Sequence, residues 1–210
     1  VLNRLRAGAA RVVGPFARFL LARGVSPDAV TVTGTVGVVL AALWLLPTGH
    51  LLVGALVIAF FALTDMIDGV MARTAGRASS WGAFLDSTLD RFGDAAIFSG
   101  LLLFLATRDH DLAAVLALAC LVLGSVVPYA RARAEGLGMR ADVGIAERAD
   151  RLAVVLVATA VVGLGAPVAV LTVVLALLAV ASAVTVAQRM AVVYRQAHAA
   201  GRGAPGAGEA

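Results

Sequence analysis

A chain of 210 residues in which 61% are hydrophobic and 14% charged cannot hide its apolar side chains inside a water-soluble fold, and a mean hydropathy of +0.96 excludes an ordinary soluble domain. Every basic residue is an arginine, and the formal net charge of +4 reads as membrane topology rather than as a nucleic-acid signature. The lone cysteine, Cys120, lies in an apolar run and excludes an intrachain disulfide. His50, His110 and His198 are scattered near predicted span ends and form no metal-ligand pattern.

In chain order, residues 1–23 mix Leu2, Leu5, Val12, Val13, Phe16 and Leu20 with Arg4, Arg6, Arg11 and Arg18. That alternation predicts an amphipathic segment lying on the membrane surface and broken near Pro15. It does not read as a secretory signal, because arginines recur through Arg23 and Gly14-Pro15 interrupts the apolar run. The stretch "GVSPD" marks a turn, with Ser26 as a helix cap and Pro27 at the first helical position. The expected fold is an all-α integral membrane protein with six transmembrane helices, over 28–47, 51–72, 82–107, 111–134, 150–165 and 167–195. The short connections "PTGH" and "GLGAP" predict tight antiparallel hairpins. The helical domain spans 24–198, and the Gly/Ala/Pro-rich end, 199–210, is expected to be disordered.

Six spans put both termini on one side. Every arginine except Arg108 then falls on that side, and the positive-inside rule makes it cytoplasmic.

One segment breaks the apolar pattern. "DMIDGVMARTAGRASSWGAFLDSTLD", residues 65–90, collects Asp65, Asp68, Asp86 and Asp90 on the arginine-rich side. Asp65 and Asp68 are three apart and Asp86 and Asp90 four apart, so each pair shares a helix face. Gly69 and Gly82 allow close approach of a second helix or of a ligand. Carboxylates crowded together in a poorly solvated place must be protonated, paired with cationic side chains, or neutralised by a bound cation. Oxygen donors without His or Cys suit hard ions such as Mg²⁺ or Mn²⁺. A structural network with Arg73, Arg77 and Arg91, or an ion path in a transporter, fits the same residue types. The acids sit toward the ends of their spans, away from the midplane where transporter sites usually lie.

Asp65, Asp68, Gly69, Ala72, Arg73, Gly82, Asp86 and Asp90 together match the signature of the CDP-alcohol phosphatidyltransferase family, D-x-x-D-G-x-x-A-R, eight residues, then G-x-x-x-D-x-x-x-D. The resemblance implies six membrane helices, a homodimer in the cell membrane, two divalent ions at the acids, and displacement of CMP from a CDP-linked lipid by an alcohol. It implies that Asp65, Asp68 and Asp86 hold one ion and Asp65, Asp86 and Asp90 the other, with Asp90 also taking the proton of the attacking hydroxyl. For the CDP-lipid it implies Gly69, Arg73, Ser79 and the run Asp28, Ala29, Val30 and Thr31 in "PDAVT". Two metals held by shared carboxylates are suited to a pyrophosphate substrate, whose charge must be offset as a P–O bond breaks.

The signature does not name the acceptor. The segment "YARARAEGLGMRADVGIAERADR" and Arg189, which follows a long apolar run, bring arginines to the same side. Arginines converging on a pocket suit an acceptor that itself carries a phosphate. The stretches "GVSPDAVTVTGTVGVV", "GRASSWGAFLDSTLDR" and "ARAEGLGMRADVGIAER" resemble the actinobacterial phosphatidylinositol phosphate synthases. That resemblance implies CDP-diacylglycerol and 1D-myo-inositol 3-phosphate as substrates, with Arg131, Arg151 and Arg189 holding the acceptor phosphate. Pro128 and the pair Ala149-Asp150 depart from the expected pattern near these arginines. Glycerol 3-phosphate is the alternative acceptor.

Overall fold

The computed structural model describes residues 14–63, 67, 69–71, 79–145 and 147–202. Asp65, Asp68, Ala72, Arg73 and Arg77 lie outside the described residues, as do 1–13 and 203–210. The expectations placed on them are not addressed by the fold.

The described chain is all helical. Residues 14–22 form α1, followed by α2 (Pro27–Leu45), α3 (Leu51–Ala62), α4 (Ser80–Ala106), α5 (Asp111–Gly136), α6 (Arg148–Gly163) and α7 (Ala169–Arg202). The anticipated start signal holds at α2. The Ser26 hydroxyl accepts from the Ala29 N–H at 3.2 Å, Pro27 opens the helix, and Asp28 sits in the first turn, where the helix dipole favours an anion. Ser79 caps α4 in the same way, accepting from the Gly82 N–H at 3.0 Å.

Five helix ends use one device. After α1, α2, α4, α5 and α6 a residue with positive φ (Gly24, Gly49, Asp109, Gly138 and Gly165) turns the chain back. The next N–H reaches the carbonyl five residues earlier, as in His50 to Leu45 and Met139 to Ala134. The tight hairpins at "PTGH" and "GLGAP" follow directly.

Packing is by small residues. A Cβ on Gly100 of α4 would strike the carbonyl oxygen of Ala42 in α2, and one on Gly163 of α6 would strike the backbone of Leu52 in α3. Such backbone-to-backbone approach is the usual way for helices to associate in lipid, where apolar burial gives little drive. Neighbouring helices form a closed circuit, α2 against α3, α3 against α6, α6 against α7, α7 against α5, α5 against α4 and α4 back to α2. The core is correspondingly rich in alanine, with Ile58, Leu101, Leu105, Leu171 and Leu175 as its large fillers. Outward, the surface is apolar: Trp44, Phe60, Leu112, Val157 and Leu164 are all exposed. A surface of that kind belongs in lipid, and the molecule is a multi-pass membrane protein.

The span limits differ from expectation in detail. Among the described residues three helices are long and apolar enough to cross a membrane by length and composition: Pro27–Leu45, Asp111–Gly136 and Ala169–Ala199. The span expected over 51–72 is an apolar helix of 12 residues, Leu51–Ala62, with further helical residues at 67 and 69–71. At 16 residues α6 is about 24 Å long, short of a hydrocarbon core of about 30 Å. Helix α4 has 27 residues but carries Asp86, Asp90 and Arg91 in its first half and Asp94 at its middle. The end of the last span also moves: α7 continues through Arg202, so residues 199–202, assigned to the tail from composition, prolong the helix.

Candidate active site

The N-terminal half of α4 is the polar face of an otherwise apolar helix. Asp86, Asp90 and Asp94 recur every four residues and so line one stripe. Asp86 is exposed, whereas the Asp90 side chain retains 17% exposure. Of the poor solvation expected at the acids, Asp90 therefore shows it and Asp86 does not. Among the described residues no three Asp, Glu, His or Cys side chains converge as a metal-binding group; two of the four expected ligands, Asp65 and Asp68, lie outside them.

Beside this stripe the start of α2 meets the start of α4. The Trp81 indole N–H donates to Asp28 Oδ2 at 3.2 Å, and Gly82 sits between Ser79 and Asp28. Asp28 and Ser79, both expected along the CDP-lipid, thus lie near one another, while Ala29, Val30 and Thr31 follow in the first turns of α2. Thr31 is buried and its hydroxyl donates to the Pro27 carbonyl at 3.1 Å. The Ser79 hydroxyl serves as the cap of α4. Of the remaining expected contacts, Gly69 is helical and half-buried.

On the other side of the stripe lies a cavity of about 720 Å³. Arg131 from α5, Arg151 from α6 and Arg189 from α7 all line it. These three arginines, far apart in sequence, are the ones expected to hold an acceptor phosphate. Arg91 and Arg148 line it too, interleaved with Glu135, Asp142 and Glu147. Arg131 pairs with Glu135 and Asp142, each at 2.9 Å. Arg189 donates from Nε to the Val143 carbonyl at 2.9 Å and from Nη1 to the Val127 carbonyl. Pro128 faces the cavity without ending α5. Ala149 and Asp150 fall in the first turn of α6, next to Arg151.

One wall of the cavity is the α5–α6 connection, and α7 holds it in place. The Gln196 amide accepts from the Arg140 N–H at 3.0 Å and donates to the Arg140 carbonyl at 2.6 Å. The Thr185 hydroxyl accepts from the Ile145 N–H at 3.2 Å. Gly144 has φ 151°, and a Cβ there would press on the Thr185 methyl, so this crossing needs glycine.

Two participants were missed from sequence. Arg148 counted only as one of the loop charges, yet it bridges the stripe: Nη1 is 2.9 Å from Asp90 Oδ1 and Nε donates to Asp94 Oδ1 at 2.9 Å. Arg91 also approaches Asp90, at 3.6 Å. The expected structural network between acids and arginines is therefore partly present, but its main cation comes from α6. Asp94 is the second omission; its place four residues after Asp90 was the available signal.

The sequence pattern of CDP-alcohol phosphatidyltransferases matches residues 24–146. The chain belongs to this family. It is therefore a transferase, and the reading of the acids as an ion path in a transporter falls away. The transferase is 48% identical over 203 residues to the phosphatidylinositol phosphate synthase of Cutibacterium acnes, covering 93% of this chain and 98% of that one. It is 46% identical over 209 residues to the enzyme of that name from Mycobacterium tuberculosis, covering 97% and 96%. The crystal structure of the Mycobacterium tuberculosis protein with CDP-DAG bound superposes with a TM-score of 0.84 at 45% identity, covering 88% of this chain and 94% of that one. The structure of the same protein in complex with manganese and citrate gives 0.83, covering 87% and 88%. In the transferase, then, the last two aspartates of the family signature lie on α4, and the arginine-lined cavity adjoins Asp90 through Arg148.

Proposed function

We propose that the enzyme transfers the phosphatidyl group of CDP-diacylglycerol to 1D-myo-inositol 3-phosphate, giving phosphatidylinositol phosphate and CMP. The observation that carries this reading is the convergence of Arg131, Arg151 and Arg189, from three different helices, on one cavity beside Asp90. Planar guanidinium forks suit a phosphate dianion, which an unphosphorylated alcohol would not need. The similarity to phosphatidylinositol phosphate synthases over nearly the whole chain supports the same acceptor.

In this reading the CDP-lipid is contacted by Asp28, Ala29, Val30, Thr31, Gly69 and Ser79, with Arg73 at a phosphate. The acceptor's phosphate is held in the cavity, which turns its free hydroxyl toward the lipid-linked phosphorus. Asp90 takes the hydroxyl proton as the new P–O bond forms and the bond to the CMP phosphate breaks. Asp65, Asp68, Asp86 and Asp90 fit two Mg²⁺ ions, with Mn²⁺ as a substitute, because all the donors are carboxylate oxygens. Bound there, the ions supply charge to offset the diphosphate and its leaving group. The chain crosses the cell membrane six times over residues 24–198, after a surface-lying N-terminal segment, and works as a homodimer. Its catalytic end and both termini are cytoplasmic, a reading that the arginine asymmetry supports.

The test is purified protein in detergent with CDP-diacylglycerol and Mg²⁺, offered inositol 3-phosphate or glycerol 3-phosphate, with products identified by mass spectrometry. Phosphatidylinositol phosphate and CMP are expected. Product with glycerol 3-phosphate alone would overturn the acceptor assignment and make the enzyme a phosphatidylglycerophosphate synthase.

A further inference from the structure

Asp94 has no part in the reaction as described so far. It lies midway along α4, one turn beyond Asp90, and is 7% exposed. A buried carboxylate is costly unless paired. This one is shared by two arginines of α6: Oδ1 accepts from Arg148 Nε at 2.9 Å, and Oδ2 lies 3.8 Å from Arg151. Arg148 continues through Nη1 to Asp90 at 2.9 Å. The four side chains make an alternating row, Asp90, Arg148, Asp94, Arg151. It begins at the proposed base and ends at a proposed holder of the acceptor phosphate.

Arg148 and Arg151 are three residues apart on one helix, so they share a face and repel each other. Asp94 lies against both. Its contact with Arg148 is a charge-assisted hydrogen bond, which fixes direction as well as distance. Its contact with Arg151 is too long for a hydrogen bond, so charge draws that guanidinium to Asp94 without fixing its orientation. Both arginines also line the cavity, so a carboxylate beneath them governs where two of its cations stand.

We propose that Asp94 is a positioning residue for the transfer reaction. It touches no substrate. It aims Arg148 at Asp90 and keeps Arg151 at the acceptor phosphate, so that the base and the acceptor are held in register by one buried charge. This rests on the function proposed above.

The experiment compares the wild-type chain with Asp94→Asn and Asp94→Glu, purified in detergent with Mg²⁺, varying CDP-diacylglycerol and inositol 3-phosphate separately. Asp94→Asn is expected to raise the acceptor KM about tenfold or more and to lower kcat, the loss of a charge-assisted contact being of that order. The CDP-diacylglycerol KM should stay within about twofold, because Asp94 acts on substrate binding only through an arginine proposed to hold the acceptor. Asp94→Glu should recover part of the acceptor KM, because it restores the charge. Thermal unfolding with and without CDP-diacylglycerol shows whether each variant is folded and binds the lipid. If Asp94→Asn does not fold, Arg148→Lys replaces it; an ammonium cannot span both Asp90 and Asp94 as the fork does, so the same split in KM is expected. Michaelis constants that shift together, or stay unchanged in a folded variant, overturn the positioning role and leave only a structural ion pair. A wild type active solely with glycerol 3-phosphate overturns the acceptor assignment alone, and the KM comparison is then read with that acceptor. A wild type active with neither overturns both.

Discussion

The two ends of the helix bundle use arginine in opposite ways. At the end opposite the cavity, Arg108 bonds to carbonyls. Its Nη1 donates to the carbonyls of Pro47 and Phe104, each at 3.2 Å, and its guanidinium stacks on the Phe104 ring at 4.3 Å. It ties the α2–α3 turn to the α4–α5 turn. At the other end Arg91, Arg131, Arg148 and Arg151 pair with carboxylates around a cavity, which Arg189 also lines while bonding to the Val143 and Val127 carbonyls. A guanidinium that joins two turns through carbonyls and a ring, as Arg108 does, is a staple. Several charges of both signs around a shared space can exchange partners, and that is what binding a phosphorylated substrate requires.

The comparison is tested most severely at Asp90. Asp90→Asn removes the proposed base and a metal ligand while keeping the shape, and turnover should fall by about a thousandfold or more. CMP release measured on protein with an unchanged melting curve checks this; near-normal turnover would remove Asp90 from the chemistry. Arg189→Ala should come next. The acceptor KM is expected to rise about thirtyfold, in line with loss of a charge-assisted contact of about 2 kcal/mol, with a smaller change for CDP-diacylglycerol. Steady-state kinetics with each substrate varied in turn reads the difference.

The packing that supports both ends can be broken separately. Gly100→Val places a side chain against the Ala42 carbonyl, and overpacking of this kind costs about 1–3 kcal/mol. A lower unfolding temperature in detergent is expected. The smallest effect belongs to the staple: Arg108→Ala should cost about 1 kcal/mol of stability and leave kcat and both Michaelis constants within about twofold. A large catalytic defect in Arg108→Ala would show that the two ends are not independent.

Much of this was legible in the sequence, for reasons that are local. A helix that must satisfy its backbone in lipid announces itself by apolar length, as in 167–195. Ser26-Pro27 is a cap because of what a serine and a proline do within four residues. Asp86 and Asp90 share a face because the helical period puts them there. Where reading failed, the cause was distance or mixed character. The limits of α4 and α6 blur because charged first turns dilute the apolar signal. The last helix runs on into 199–202 because composition marks a disordered tail only weakly when alanine is abundant. Arg148 was passed over because nothing within its own segment separates an arginine in a topogenic loop from one that reaches across to another helix.

Composition and spacing alone therefore determined a membrane-embedded helical protein, its acidic stripe and the end at which its arginines collect; that it is a transferase came from its likeness to a family signature. The first three follow from short-range geometry and from the solvent the chain must enter. Only the tertiary structure decided that Arg131, Arg151 and Arg189 share one cavity, that Arg148 joins Asp90 to Asp94, and that Asp28 reaches Trp81. Those meetings depend on which helices lie side by side. That is set by close backbone contacts such as Gly100 on Ala42, which no periodicity along a single segment encodes.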